Sequence, residues 1–469
     1  VIEPLVVGDA ILYHGDCIQV MREMEANSVE AIVTDPPYLL NFMGKDFDSQ
    51  HKSLPGDNEG QQMQAWHSAW VKEAYRVLKP GGYLVAFGGS RTVHRLMIAL
   101  EDEGFWLHPI IGWVNGSSFP KATNLSKMLD KSLGLEREDI GPNPNKIGCT
   151  KDMRGGRLIG NKTADMESIC RLTAPASPEA AQWEGWFYGK QSLKPAMEPA
   201  AVAQKPPEGR MVDNIRKHGT GAIHIDACRV GTNESWAKNI SDTAPIGKPV
   251  ETVSEHEWGL KEIEKHNHPE GRWPPNLLLD GSEAVSQMFP ESKSCNSPSS
   301  ARPVSKYRPG QGNYQKQGPI YPGDSGSAAR FFPHLGYSDD DLDADPLFYC
   351  GKATKRDRDS GCEELNLVAC GLMEDDNYNI KTGSGNSRDT KRHNYHPTCK
   401  PTSLMRWITK LVLPPNGVVL DPFMGSGSTL KAACLEGMKS IGIERDAEYF
   451  AIAVARVKHA QQQPNLKAA

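Results

Sequence analysis

The amino-acid sequence predicts an α/β protein built on a doubly wound, Rossmann-like parallel sheet with a large irregular insertion. Three observations lead there. Short apolar runs alternate with helical periodicity at both ends of the chain. A glycine-rich turn follows one of the C-terminal runs, and an Asp-Pro-Pro-Tyr turn follows one of the N-terminal runs. Neither end can bury both faces of a parallel sheet alone, so the two ends must combine and the middle becomes an insertion.

At the C-terminal end, Gly417 to Asp421 (GVVLD) has the pattern of a buried strand and runs into Pro422-Phe423-Met424-Gly425-Ser426-Gly427-Ser428-Thr429. A helix is expected from Thr429 to a cap at Gly437, then a strand over Lys439 to Glu444. Asp446 should cap a last helix with Tyr449, Phe450, Ala453, Val454 and Val457 on its apolar face. At the N-terminal end, Ala10 to His14 predicts a strand ending at Gly15-Asp16, and Cys17 to Glu25 a helix. Val29 to Thr34 predicts a strand ending at Asp35-Pro36-Pro37-Tyr38. Gln62 to Leu78 is helical until Lys79-Pro80-Gly81-Gly82 breaks it, and Tyr83 to Gly89 is a further strand. With the C-terminal strands counted first, a doubly wound order 3-2-1-4-5 puts the loop at Gly425 opposite the loop at Asp35, at the switch point where ligands bind.

Bulk properties set bounds. The 469 residues suit one catalytic domain with a sizeable insertion, and 38% hydrophobic with 24% charged residues is ordinary for a soluble enzyme. No run is long and apolar enough for a membrane span, and no basic stretch followed by an apolar run begins the chain, so a cytoplasmic protein with no membrane partner is expected. Ten scattered Cys without a C-x-x-C pair point to neither a zinc cluster nor a disulfide framework. His393 and His396 have no evident third ligand, so loop histidines and no metal are expected. A net charge of -5 does not exclude a nucleic-acid partner, which needs only a local basic cleft.

Two turns carry the chemistry. In Asp421 to Thr429, Gly425 and Gly427 allow a ligand close to the backbone, and the following helix start favours an anion such as the carboxylate of a methionine moiety. Glu444, at the tip of the next strand, is where an acidic side chain accepts from ribose hydroxyls. A glycine turn alone is often only a tight connection; with Glu444, nucleoside binding outweighs that, and the third glycine of the dinucleotide fingerprint is missing. In the other turn, Asp35 and the Pro36 carbonyl can accept both hydrogens of an exocyclic base amine. That draws its nitrogen toward tetrahedral geometry with the lone pair aimed at a methyl sulfonium. Pro36 and Pro37 stiffen the loop, and Tyr38 offers a flat face to an extruded base.

With these residues in place, the chain resembles the β class of amino-DNA methyltransferases, in its phage and prophage-like form, whose catalytic motif precedes the cofactor motif in circularly permuted order. The resemblance implies methyl transfer from S-adenosylmethionine to an exocyclic amine of double-stranded DNA, most readily adenine N6. Cytosine N4 is the alternative within the class. A non-catalytic DNA-binding module and a methylase of RNA or of a protein amide are the alternatives outside it. It gives Asp16, with Cys17, the adenine ring of the cofactor. His396-Pro397-Thr398-Cys399-Lys400-Pro401 resembles the segment lining the methionine end, so Thr398, Lys400 and Pro401 join the cofactor set, as does Arg445 beside Glu444. Asn41 to Asp46 and Leu193 to Pro199 (LKPAMEP) resemble segments of phage members. Phe42, Lys45, Lys391 and Arg392 are candidate DNA contacts, the last two in a basic run with Lys381, Arg388 and Lys400. A homodimer is left open.

The expected organisation is 1–134 as the first catalytic part, 135–181 an insertion, 182–230 a return to the core with strands near Ala200–Val202 and Ala222–Ile225, 231–345 target recognition, and 346–469 the cofactor-binding part. Recognition falls to 231–345 by elimination, since no helix-turn-helix or zinc-finger spacing occurs there.

Overall fold

The computed structural model describes residues 2–40, 48–115, 121–142, 171–230, 271–293, 325–335, 355–369, 380–381, 387–388 and 391–463. Nine strands form the main sheet. In chain order they are β1 (Leu5–Val7), β2 (Ala10–His14), β3 (Val29–Thr34), β4 (Leu78–Phe87), β5 (Trp106–Val114), β6 (Met197–Gln204), β7 (Leu277–Leu279), β8 (Val418–Asp421) and β9 (Lys439–Glu444). The helices that cover it are α1 (Cys17–Glu23), α2 (Glu59–Val77), α3 (Val93–Asp102), α4 (Thr402–Val412), α5 (Ser428–Leu435) and α6 (Ala447–Gln462).

The strand order is β1-β2-β9-β8-β3-β4-β6-β5-β7. Its central block, β2-β9-β8-β3-β4, is parallel throughout and is the 3-2-1-4-5 order expected from the sequence. The two chain ends interlock at one seam, with Val419 and Leu420 of β8 beside Ala31 and Ile32 of β3. Beyond the expected five strands, β6 runs antiparallel between β4 and β5, β7 adds a parallel strand outside β5, and β1 turns back on β2. The 231–345 segment thus lends β7 to the catalytic sheet.

Period-2 alternation sorts the core. Tyr83, Val85 and Phe87 of β4 face one side with Leu404, Met405, Ile408 and Leu411 of α4, whereas Leu84 and Ala86 face α1, α2 and α3 through Met21, Trp70, Val71 and Leu100. Each β-to-α connection leaves from the carboxyl end of its strand; β8 feeds α5 on the first side, and β3 leads towards α2 on the second. Between them lies the crevice that this topology creates.

Two local expectations differ. The helix before β4 stops at Val77, as the Lys79–Gly82 break predicts, but β4 starts at Leu78 because that residue already pairs with Val29. Ala222–Ile225 is not a strand. Gly221 has φ +123 and Ile225 enters a 3-10 turn over Asp226–Cys228, so Ile225 and Cys228 pack against the α4 side of the core instead of extending the sheet.

Candidate active site

A cavity of about 780 Å³ opens at the carboxyl ends of β2, β9, β8 and β3, within the range of small-ligand sites. Of the residues singled out in the sequence, Asp16, Cys17, Asp35, Pro36, Pro37, Tyr38, Thr398, Lys400, Asp421, Pro422, Phe423, Gly425, Ser426, Ser428, Thr429, Glu444 and Arg445 line it. Gly427 and Pro401 are not among the lining residues. Gly427, at φ +74, caps α5, and a Cβ there would press on Ala453 of α6, so this glycine serves helix packing; Pro401 caps α4. Phe42 and Lys45 lie outside the described residues, as does the side chain of Lys391, and Arg392 is half-buried.

Along the β8–β9 rim the acidic side chains hold backbone and hydroxyl donors. Glu444 accepts from Gly425 N–H at 2.9 Å and from Asp446 N–H at 2.7 Å, which joins the strand end to the glycine loop. Asp16 caps α1, its Oδ1 accepting from Ile18 and Gln19 N–H. Asp421 accepts the hydroxyls of Thr34 and Thr429, each at 2.6 Å, and the Phe423 N–H at 3.1 Å. Burial nonetheless pushes the Asp421 carboxyl up to about 6. Gly425 has φ +50, and a Cβ on it would come within 2.6 Å of His396 Nε2. Burial pulls His396 down to about 3, so it is neutral; its Nδ1 accepts from Thr398 N–H at 3.4 Å, which leaves the proton on Nε2 beside the glycine loop.

The loop is braced from behind. Arg456 of α6 is fully buried and donates to Ser426 O and Oγ, to Ser428 Oγ and to Asp357 O; Asp357 in turn pairs with Lys431. Trp66 of α2 lies 5.6 Å from Phe423 in a tilted ring contact and closes the apolar wall.

The β3 rim is arranged differently. Asp35 follows the last residue of β3, and its Oδ2 accepts from Lys400 Nζ at 2.5 Å. Its Oδ1 is buried and has no hydrogen-bond partner among the described residues. Lys400 also reaches Tyr38 Oη at 3.2 Å and Glu198 Oε2 at 3.5 Å, while Tyr38 Oη donates to the same Glu198 oxygen at 3.3 Å. Burial raises the Asp35 carboxyl, with Lys400 opposing the shift. Burial pulls the Lys400 amine down, but Asp35 and Glu198 outweigh it and hold the ammonium up. After Tyr38 the chain turns sharply at Leu39, φ +58, a conformation held by Asp48 accepting from the Leu39 and Leu40 N–H groups.

Lys400 corrects one expectation: its side chain is 7% exposed, so it is no part of a surface basic run; it lines the cavity with its ammonium on Asp35. His396, expected to be an ordinary loop histidine, lines the cavity. Glu198 was not singled out at all; its only signal is the LKPAMEP segment, where a carboxylate stands in an otherwise apolar strand start. Among the described residues no cluster of three His, Cys, Asp or Glu side chains could hold a metal ion, and no helix is long and apolar enough to cross a membrane.

Comparison with known proteins gives a family match over most of the chain. The N6/N4 methyltransferase family model, described as DNA methylase, matches residues 29–143 and 190–455. The type II methyltransferase M.HindIII of Haemophilus influenzae is 25% identical over 264 residues, covering 50% of this chain and 71% of that protein. M.HpaI of Haemophilus parainfluenzae is 32% identical over 126 residues, covering 27% of this chain and 38% of that protein. Among solved structures, the cytosine-N4-specific PvuII DNA methyltransferase aligns with a TM-score of 0.41 at 14% identity, over 96% of this chain and 87% of that one. The complex of M1.HpyAVI with SAM aligns at 0.35 and 14%, over 96% and 98%.

Proposed function

The chain belongs to the N6/N4 DNA methylase family, and we propose that it transfers the methyl group of S-adenosylmethionine to adenine N6 in double-stranded DNA. The observation that carries this reading is Asp35, which lines the cavity together with the glycine loop and whose buried Oδ1 has no hydrogen-bond partner among the described residues. A buried carboxylate oxygen without a donor is costly to keep unless a ligand supplies one.

The residues present fit the cofactor. The close approach of loop and His396 at Gly425 is a cradle that a Cβ would fill. Gly425, Ser426 and the protonated Nε2 of His396 suit the carboxylate of the methionine end, Glu444 the ribose and Asp16 the adenine edge, with Trp66 and Phe423 as apolar walls. Glu444 keeps lone pairs for ribose hydroxyls although both its oxygens already accept backbone N–H groups. Bound there, S-adenosylmethionine supplies an electrophilic methyl on a sulfonium sulfur.

The chain's own part is to prepare the amine. Asp35 Oδ1 and the Pro36 carbonyl accept its two hydrogens and localise the nitrogen lone pair, which is otherwise delocalised into the ring. The target must leave the helix stack to reach them, at a cost of a few kcal/mol, and stacking on Tyr38 recovers part of that. Adenine has the larger face and recovers more than cytosine. Asp35 as the first motif residue, where cytosine-N4 members more often carry serine, points the same way.

Labelled methyl transfer to duplex DNA, followed by mass spectrometry of the digested nucleosides, tests the reading. N6-methyladenine with little N4-methylcytosine is expected. Dominant N4-methylcytosine would overturn the choice of base, and no transfer to DNA would overturn the function.

A further inference from the structure

We propose that Glu198 is a positioning residue that sets the charge of the base-binding rim, acting through Lys400 on Asp35. This rests on the methyl-transfer reading above and adds a residue to it. Three ionisable side chains from three separate parts of the fold meet here: Asp35 beyond β3, Glu198 on β6 and Lys400 in the segment entering α4. They are 14%, 20% and 7% exposed, so water screens them little.

The arrangement has a redundancy that structure alone does not require. One cation would neutralise Asp35, and a buried Asp–Lys pair would then be complete. Instead Lys400 is shared between Asp35 and Glu198, and Tyr38 Oη donates to Glu198 as well. Two carboxylates and one ammonium leave the rim with a net charge of about one negative unit. The amine that binds Asp35 Oδ1 becomes positive as its lone pair is given up to the methyl group, so a rim of this charge is complementary to the transition state and not to the neutral base. Lys400 does the opposite service. It favours the ionised form of Asp35, which can accept from the amine, and so opposes the burial that raises this carboxyl.

The remaining groups around Asp35 do not alter the balance. Tyr38 is held in its neutral phenol form by burial, Asp421 at the end of β8 contributes only a more distant negative charge, and His396, near Lys400, is neutral. On the far side Lys400 lies 4.8 Å above the Phe87 ring of β4.

Glu198 and Lys400 should therefore move the ionisation of Asp35 in opposite directions, which packing roles would not do. The test compares wild type with Glu198→Gln, Glu198→Asp and Lys400→Met. Two readouts apply: the pH dependence of kcat, and infrared titration of the Asp35 carboxyl in the cofactor-free and DNA-free protein, its band assigned with Asp35→Asn. In Lys400→Met the acidic limb and the infrared transition should both rise, by roughly 1–3 pH units. In Glu198→Gln both should fall, kcat on the plateau should drop, and affinity for S-adenosylmethionine should stay unchanged; Glu198→Asp should restore part of the loss. A Glu198→Gln protein whose Asp35 titrates as in wild type would overturn the proposal, as would shifts of the same sign in the two variants. The infrared titration needs no methyl transfer, so it decides on Glu198 even if the enzyme proves not to methylate DNA.

Discussion

The two rims of the cavity satisfy their buried acids in different ways. On the rim formed by the ends of β2, β9 and β8, Asp16, Glu444 and Asp421 each hold two or more short-range donors from the backbone or from threonine hydroxyls, and the glycine loop rests on Arg456. On the β3 rim, Asp35 has a cation on one oxygen, and its other oxygen has no hydrogen-bond partner among the described residues. The first rim is complete as a structure before any ligand arrives, which suits tight binding at little reorganisation cost. The second is left one hydrogen bond short at Asp35 Oδ1, where the proposed function seats the reacting amine. On the proposed function, the first rim holds the cofactor and the second prepares the amine.

Substitutions can break this division one half at a time. The largest effect belongs to Asp35→Ala, which removes the acceptor and leaves Lys400 buried with Glu198 and the Tyr38 hydroxyl. Turnover should fall by roughly 10³-fold or more, the scale at which losing a preorganised electrostatic contact acts, measured as methyl transfer under single-turnover conditions. Arg456→Met attacks the other half from behind. It strips the glycine loop of its brace and leaves Asp357 with less compensation, so chemical denaturation should show a loss of roughly 3–5 kcal/mol, the usual cost of breaking a buried charge network. If Arg456→Met were as stable as wild type, the loop would not depend on that brace.

Asp421 offers a subtler probe of the same rim. Its carboxyl is raised from 3.8 to about 6, so the folded state binds this proton more tightly than the unfolded chain. The stability that results is fully present below pH 4 and is lost as pH rises through 6, a change of about 3 kcal/mol. Asp357, held low by Lys431 and Arg456, works in the reverse sense, so the wild-type curve is a sum. Comparing denaturation of wild type and Asp421→Asn from pH 4 to pH 7 isolates the Asp421 part: the variant should gain stability relative to wild type as pH rises. A constant difference across that range would contradict it.

Much of the β8–β9 rim was legible in the sequence because its determinants are local. A strand, a glycine turn and an acid at the next strand tip follow one another in the chain, and period-2 burial with helix caps such as Asp446 fixes the elements between them. Even the interlocking of the two chain ends could be read, since neither set of strands is a sheet by itself. The charge balance of the β3 rim was not legible. Glu198 and Lys400 are both far from Asp35 in the chain; Glu198 meets it only when β6 inserts between β4 and β5, and Lys400 only when the segment before α4 crosses the end of β3. Gly427 misled for the converse reason: a G-x-G turn looks uniform in sequence, but only Gly425 faces the cavity while Gly427 packs on Ala453. Ala222–Ile225 misled because an apolar tetrapeptide packs as well against a helix as within a sheet.

The division of labour is most directly tested by calorimetric titration of S-adenosylmethionine into three proteins side by side: wild type, Glu444→Ala and Asp35→Ala. Glu444→Ala should bind more weakly by roughly 1–3 kcal/mol, the worth of hydrogen bonds to a charged group, while Asp35→Ala, inactive in methyl transfer, should bind as wild type does. Unchanged affinity in a folded Glu444→Ala protein, or a comparable loss in Asp35→Ala, would contradict the assignment of the two rims.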